Sequence, residues 1–423
     1  MTSVTIIGAG PAGLMAALAA AEHGATVTVC ESLPRPGAKL LATGGGKCNL
    51  TNILAPFDLA MRFGRQGRFL LPALTALPPD ALRQWLAAHG VPTTVTDGFH
   101  VFPVSQRAGD VLAALLEACR ARNVTIRTDC PVTGLQLRDG IVTGVLDNDG
   151  AHPVDRVILA AGGKGYPALG GRGAGYELAR QAGHELVEPT PGLVGLQTAE
   201  TWPGTCTGIS FADSTVTIAL PKYRQLPGRG ELLFTHHGIS GPAVIDLSAE
   251  VGVLLRKHPA GIPLTLHLRA DCSPDWWNTE FDRWQREDGK KHLVNLLSPH
   301  VTHAVAEALC AAAGNIAHRK AAEFTAAERE NLTRMLTAAP VTAIGSDGWE
   351  KAMVTRGGVS LKKVDPNTLQ SRLVDGLYFA GEVLDLDGPC GGFNLQWAFS
   401  SGWLAGTSAA SSIAGSGEDT VRF

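Results

Sequence analysis

Val4-Thr5-Ile6-Ile7-Gly8-Ala9-Gly10-Pro11-Ala12-Gly13, an alanine-rich run to residue 22, and Thr26-Val27-Thr28-Val29-Cys30-Glu31 form one stretch at the start of the 423-residue chain. An apolar strand runs into a glycine turn, a helix follows, and a second apolar strand ends in an acid. This is the pattern of a βαβ unit that holds the pyrophosphate and ribose of a dinucleotide. Gly8 permits the tight turn, Gly10 lets backbone N–H groups approach the phosphates, and Gly13 lets helix and strand pack closely. The helix N-terminus brings partial positive charge to the pyrophosphate. Glu31 can accept hydrogen bonds from ribose hydroxyls, and its charge opposes a 2′-phosphate there. A bare GxGxxG is common. The strand before it, the helix after it and the acid beyond make it specific for a dinucleotide, without choosing between FAD and a nicotinamide.

Composition bounds the rest. The chain is long enough for two or three compact units, and 45% of its residues are hydrophobic. Its 36 basic and 39 acidic residues leave a net charge of −3, which gives no long-range attraction for nucleic acid or an anionic membrane. No apolar run is long enough for a transmembrane helix. The first strand begins by residue 4, leaving no room for a signal peptide, so a cytoplasmic location is expected. The cysteines at 30, 48, 119, 130, 206, 272, 310 and 390 are all more than ten residues apart. That spacing argues against a CxxC zinc site and against the close pair of a flavin disulfide reductase. No metal is expected. Glycine supplies 50 residues, above the average of about 7%, and clusters at 44–46, 162–175 and 388–392. Such clusters suggest backbone packed against a ligand.

The first half alternates strand and helix. Helical spacing covers 67–90, broken at Pro78-Pro79, and again 108–122. A hairpin signal surrounds Asp139-Gly140, and 154–161 reads as a buried strand. From about residue 190 the segments are short and β-like, residues 273–336 are mostly helical, and β character returns at 341–364. Gly376-Leu377-Tyr378-Phe379-Ala380-Gly381-Glu382 reads as a strand ending in Gly-Glu, followed by a small-residue helix over 395–412. A closing strand and helix of this kind complete the opening domain, which makes the nucleotide-binding domain discontinuous.

Four constellations carry the chemistry. Residues 37–52 include Thr43-Gly44-Gly45-Gly46-Lys47-Cys48-Asn49, a bare-backbone loop with polar neighbours that fits the pyrophosphate, ribityl chain or ring of a flavin. It is not a P-loop, because Cys48 follows the lysine. Residues 387–398 include Gly391-Gly392-Phe393-Asn394-Leu395-Gln396, whose N–H groups at a helix start suit the flavin pyrimidine edge. Thr235-His236-His237-Gly238 offers a proton donor or substrate ligand. Adjacent histidines without a carboxylate or cysteine cluster make a poor metal site. Tyr166 and Tyr176 flank Arg172 in a glycine-rich stretch that could line the substrate face. No apolar strand runs into Gly171, so this stretch is a weak candidate for a second nucleotide site.

Taken together, residues 40–52, 234–248, 357–365 and 376–406 resemble the BaiN/YhiN-type bacterial FAD flavoproteins. The similarity spans nearly the whole chain. It implies an α/β fold: an FAD-binding, glutathione-reductase-like Rossmann domain with an inserted β-barrel and a small helical subdomain. The expected division is 1–190 with 358–423 for FAD, 191–272 with 337–357 for the barrel, and 273–336 for the helices. The chain departs from the family pattern at Ala174, in place of an aspartate, and at Phe393, in place of a tyrosine. The expected FAD contacts are Gly8, Gly10, Pro11, Ala12, Gly13, Glu31, Lys39, Thr43, Gly44, Gly45, Gly46, Lys47, Cys48, Asn49, Val132, Ala161, Gly162, Gly381, Glu382, Gly391, Gly392, Phe393, Asn394, Leu395 and Gln396. His236, His237 and Tyr166 are the catalytic candidates. The expected activity is hydride transfer through flavin N5 to or from a small organic substrate, a conjugated C=C bond among the options, with NAD(P)H as electron donor. An oxygen-using oxidase or hydroxylase, an RNA-modifying flavoprotein and a flavin sensor are the other readings. Net charge weighs against the RNA reading.

Overall fold

A computed structural model describes residues 1–223 and 227–411. Ser412, the last residue of the expected closing helix, and the expected cofactor-domain segment over 412–423 lie outside the described residues. The chain divides into two compact units, Met1–Pro189 with Val354–Phe423, and Thr190–Met353.

The first unit is built on a five-stranded parallel sheet in the order Leu377–Phe379, Arg156–Leu159, Ser3–Ile7, Thr26–Cys30, Thr125–Arg127. Its central strands are almost wholly apolar because both faces are covered, as parallel sheets require. Ile7 stands level with Cys30 on one side and Leu159 on the other. The strand ends that carry Gly8, Glu31 and Ala160 therefore open at one edge, where open α/β sheets bind ligands. Helix Pro11–Glu22 shows no amphipathic stripe, since Ala12 through Ala20 are all buried. Helix Phe393–Ser411 covers it so closely that a Cβ at Gly402 or Gly406 would overlap the carbonyl oxygens of Ala12 and Ala16. The two ends of the chain thus form one layer.

Two antiparallel three-stranded sheets also belong to this unit, and Val354–Val359 pairs with Leu186–Gly192 in a two-stranded sheet. Gly134–Arg138, Ile141–Asp147 and Gly150–Pro153 form a meander. Thr51–Asn52 pairs with His100–Pro103, which pairs with Thr93–Thr96. The closing helix starts at Phe393, two residues before the expected 395, because Gln396 N already bonds Gly392 O at 3.0 Å. The strand expected over 154–161 is shorter, Arg156–Leu159. Past Ala160 the chain turns away at Gly162, which has φ 70°.

The second unit is a closed six-stranded barrel ordered Leu196–Thr198, Gly238–Ser240, Gly228–Thr235, Ser210–Ile218, Ile262–His267, Ala339–Ser346. Helices Pro274–Glu287, Leu293–Val301, His303–Ala312 and Ala326–Thr337 lie between its last two strands in sequence. Trp277, Phe281 and Trp284 recur at helical spacing on the first of these and are fully buried. The last begins at a capping box in which Thr325 and Glu328 satisfy each other's backbone N–H groups. This is the expected architecture: a Rossmann-like α/β domain with a barrel and a helical region.

Candidate cofactor site

The Gly8 turn is set from both sides. Gly8 N donates to Cys30 O at 2.8 Å. A Cβ at Gly13 would overlap the Gly8 carbonyl oxygen, so only glycine allows the helix to start where it does. Pro11 occupies the first turn, and no side chain caps the helix start. Next to it, the Cβ position of Gly10 faces open space. Glu31 is buried; its Oε2 accepts from Ala9 N at 2.8 Å, and its Oε1 from Leu33 N at 2.9 Å. The acid therefore braces the glycine turn; Oε1 also accepts from Ser32 Oγ at 3.3 Å, and Oε2 keeps acceptor capacity for a hydroxyl.

In the 37–52 loop, Gly44, Gly45 and Gly46 have φ values of 57°, 65° and 88°. Three left-handed residues in succession are available only to glycine. The Cβ position of Gly45 is also open. Thr43 Oγ1 donates to Leu40 O, and Lys47 is exposed. Cys48 is fully buried, and burial pushes its thiol up to about 12. Asn49 is different: its Oδ1 is buried with no hydrogen-bond partner. An unpaired buried carbonyl oxygen costs about 1–3 kcal/mol, and a ligand donor at this position would remove that cost.

Lys39 and Glu382, both expected at the cofactor, bond each other at 2.7 Å. Glu382 Oε1 also accepts from Thr355 N at 2.8 Å, and Thr355 Oγ1 accepts from Lys164 N at 2.7 Å. One chain of bonds thus ties together helix Ala38–Ala42, the segment at 164, strand Val354–Val359 and the turn at 382. Tyr176 is buried beside it, and burial with the charges of Glu382 and Asp385 pushes its phenol up. No sequence signal marked Thr355.

At the closing helix, Trp397 Nε1 donates to Gly381 O at 3.2 Å, and Gly381 N donates to Ser401 Oγ at 2.9 Å. Asn394 accepts from Gly388 N and donates to Gly388 O, both at 2.8 Å, so it locks the 388–392 turn. Gln396 is fully buried and donates to Leu77 O and Ser400 Oγ. Leu395 is half-buried, and Phe393 packs edge-on against Phe63. The Asn394 amide and Gln396 Nε2 are spent on scaffolding, while Gln396 Oε1 is buried without a partner. Ala161 is half-buried, Val132 is in the core, and the Cβ position of Gly162 is open.

Tyr166 has φ 55°, an uncommon conformation for a tyrosine. His236 and His237 form the exposed tip between strands Gly228–Thr235 and Gly238–Ser240 in the second unit. With Gln197, Glu200 and Thr201 they border a cavity of about 460 Å³. Seven of the eight cysteines are buried, and burial pushes Cys119, Cys130 and Cys310 as well as Cys48 up to about 12. Such thiols are inert nucleophiles.

The open positions at Gly10, Gly45 and Gly162, the uncapped helix and the orphaned Asn49 oxygen all belong to one unit and fit a dinucleotide. The comparisons agree with that fold. The chain is 34% identical over 97% of its length, and 99% of the relative, to a 3-dehydro-bile acid delta(4,6)-reductase from Clostridium scindens. It is 29% identical over 94% of its length, and 95% of the relative, to a ribosomal RNA dihydrouridine synthase from Escherichia coli. Among solved structures, a 3-ketosteroid delta1-dehydrogenase from Sterolibacterium denitrificans shares the fold, with a TM-score of 0.53 at 14% identity over 97% of this chain and 100% of that one. Residues 2–408 match the HI0933-like protein Rossmann domain, and the chain belongs to that family.

Proposed function

We propose that the protein is an FAD-dependent oxidoreductase that reduces a C=C bond conjugated to a carbonyl, with NAD(P)H as electron donor. The observation that carries the cofactor is the set of bare glycine turns in one unit, with Asn49, whose Oδ1 is buried and unpartnered, packed beside Gly44. The 8–13 turn binds the pyrophosphate, Glu31 the ribose, and the 44–46 loop with Asn49 the middle of the dinucleotide. The turn before Phe393 takes the flavin end, where the helix start favours negative charge on the ring. A second helix start at the far end suits a flavin dinucleotide. When bound, FAD supplies hydride chemistry; the chain orients it and excludes water.

The names of the relatives support the substrate class. A bile acid delta(4,6)-reductase and a dihydrouridine synthase act on different molecules, but each name describes the saturation of a C=C bond conjugated to a carbonyl. Such a reduction needs a proton as well as a hydride. Tyr166, His236 and His237 are the proposed donors, and loss of the donor lowers kcat by about 10²-fold or more. Y166F, H236Q and H237Q, assayed singly across pH, identify which one acts.

The test is a purified yellow protein, reduced anaerobically by NADH or NADPH and then mixed with a 3-oxo-4-ene steroid or with unmodified ribosomal RNA. Reoxidation by the enone supports the leading reading, and reoxidation by RNA alone supports an RNA-modifying enzyme. Fast reoxidation by air with peroxide release supports an oxidase. A colourless protein that takes up no flavin on reconstitution rules out the cofactor assignment.

A further inference from the structure

This inference rests on the reading that the Gly391-Gly392 turn takes the pyrimidine edge of FAD. The side chains of that segment are bound elsewhere, but one titratable side chain reaches it from another element. The Nε2 of His100, the first residue of strand His100–Pro103, lies 3.3 Å from where a Cβ on Gly391 would stand. Any residue larger than glycine at 391 would close that approach.

The imidazole is held in place. Its Nδ1 bonds Asp97 Oδ2 at 2.7 Å, and its backbone N donates to Asp97 Oδ1 at 3.1 Å. Asp97 sits at φ 49° and is followed by Gly98 at φ 71°, a tight turn that aims the carboxylate back at the histidine. The Phe99 ring stands perpendicular to the imidazole at 5.0 Å. Asn52, paired with His100 in the ladder, donates to Gly391 O at 3.0 Å, so hairpin and turn are tied together.

This arrangement fixes the tautomer. The bonds from His100 hold the Asp97 carboxyl below the usual carboxylate range, and an ionised Asp97 keeps the proton on Nδ1. Nε2 is therefore the ring atom left to face the Gly391 turn, an acceptor in the neutral ring and a donor in the imidazolium. Asp97 is the carboxylate on its own hairpin; the turn brings the Cys390 thiol, while Asn52, Phe99 and Phe393 are uncharged. The imidazole is 32% exposed, so solvent can supply the proton.

We propose that His100, held by Asp97, is the side-chain donor to the flavin at the Gly391-Gly392 turn and, as the imidazolium, raises its reduction potential. His100 takes one proton from solvent onto Nε2 when the ring becomes negatively charged and returns it to solvent when the ring is oxidised. His100 makes no covalent bond to the flavin; the electrons, and the proton that the ring itself takes up on reduction, come from the reductant and solvent.

The experiment is potentiometry of the FAD-loaded protein from pH 5.5 to 8.5, with H100Q and H100R beside the wild type. The wild-type potential falls more steeply with pH than that of H100Q, and the two converge above pH 8. At the acid end of that range, H100Q weakens the preference for reduced over oxidised FAD by about tenfold, the loss of one hydrogen bond to a charged group. H100R, a permanent cation, keeps the high potential at pH 8 and loses the extra slope. A purely structural role does not separate these two variants. Flavin-loaded H100Q and H100R with wild-type potentials and slopes overturn the proposal and leave the FAD reading intact. A wild type that binds no FAD overturns both.

Discussion

Asn49 separates binding from stability. Its Oδ1 is buried without a partner, so N49A removes a group that costs the unliganded protein free energy. The expected outcome is an unchanged or slightly raised Tm without flavin, with FAD binding weakened by about 1–3 kcal/mol; flavin fluorescence titration checks it. A Tm loss with unchanged FAD affinity would refute the assignment. His184 makes one contribution to acid lability. It is buried against Phe379, its Nε2 bonds Ser371 Oγ at 2.8 Å, its Nδ1 has no partner, and burial lowers it to about 4. A histidine depressed in the fold binds fewer protons there than when unfolded. Its effect is absent above about pH 6.5, and stability is lost as pH falls from there toward 4. The loss is on the order of 2–3 kcal/mol. In H184N, denaturant titrations at pH 7 and pH 4.5 should differ by less than in the wild type.

At the element scale, the pair of helices formed by the two chain ends sets the turn. G406A places a methyl group into the Ala16 carbonyl and forces the helices apart, at about 1–3 kcal/mol. G109A, in helix Ala108–Ala121 with open space at its Cβ, should gain about 0.5–1 kcal/mol. Urea unfolding of the two variants tests whether close approach, not helix propensity, keeps glycine at 406. The same contrast explains what could be read in advance. The opening βαβ unit, the Asp139-Gly140 hairpin and the helices read at 67–90 and 108–122 were legible because period and turn chemistry agree there. The hairpin of Thr93–Thr96 with His100–Pro103 was not anticipated, although Asp97-Gly98 is a hairpin signal after a β-branched run. At the site, backbone-facing glycines were legible. The inward commitments of Gln396, Asn394 and Glu382 depend on partners more than 300 residues away or on a turn that only the fold closes, so sequence alone placed them at the ligand.

For the whole molecule, net charge gives a test that separates the two kinds of electron acceptor. Thirty-six basic against 39 acidic residues give no global pull on a polyanion. An enzyme that works on ribosomal RNA would neutralise several phosphates, and its apparent affinity would fall steeply as salt rises. A neutral enone carries no counterions to release. If the proposed substrate class is right, the second-order rate of reoxidation of the reduced protein by a 3-oxo-4-ene steroid should change less than about twofold between 50 and 300 mM salt. Stopped-flow flavin absorbance at several salt concentrations measures this directly. A rate with RNA that exceeds the enone rate and falls by about tenfold or more over the same range would move the protein to the RNA-modifying reading. That result would also require a local basic surface strong enough to overcome the overall charge.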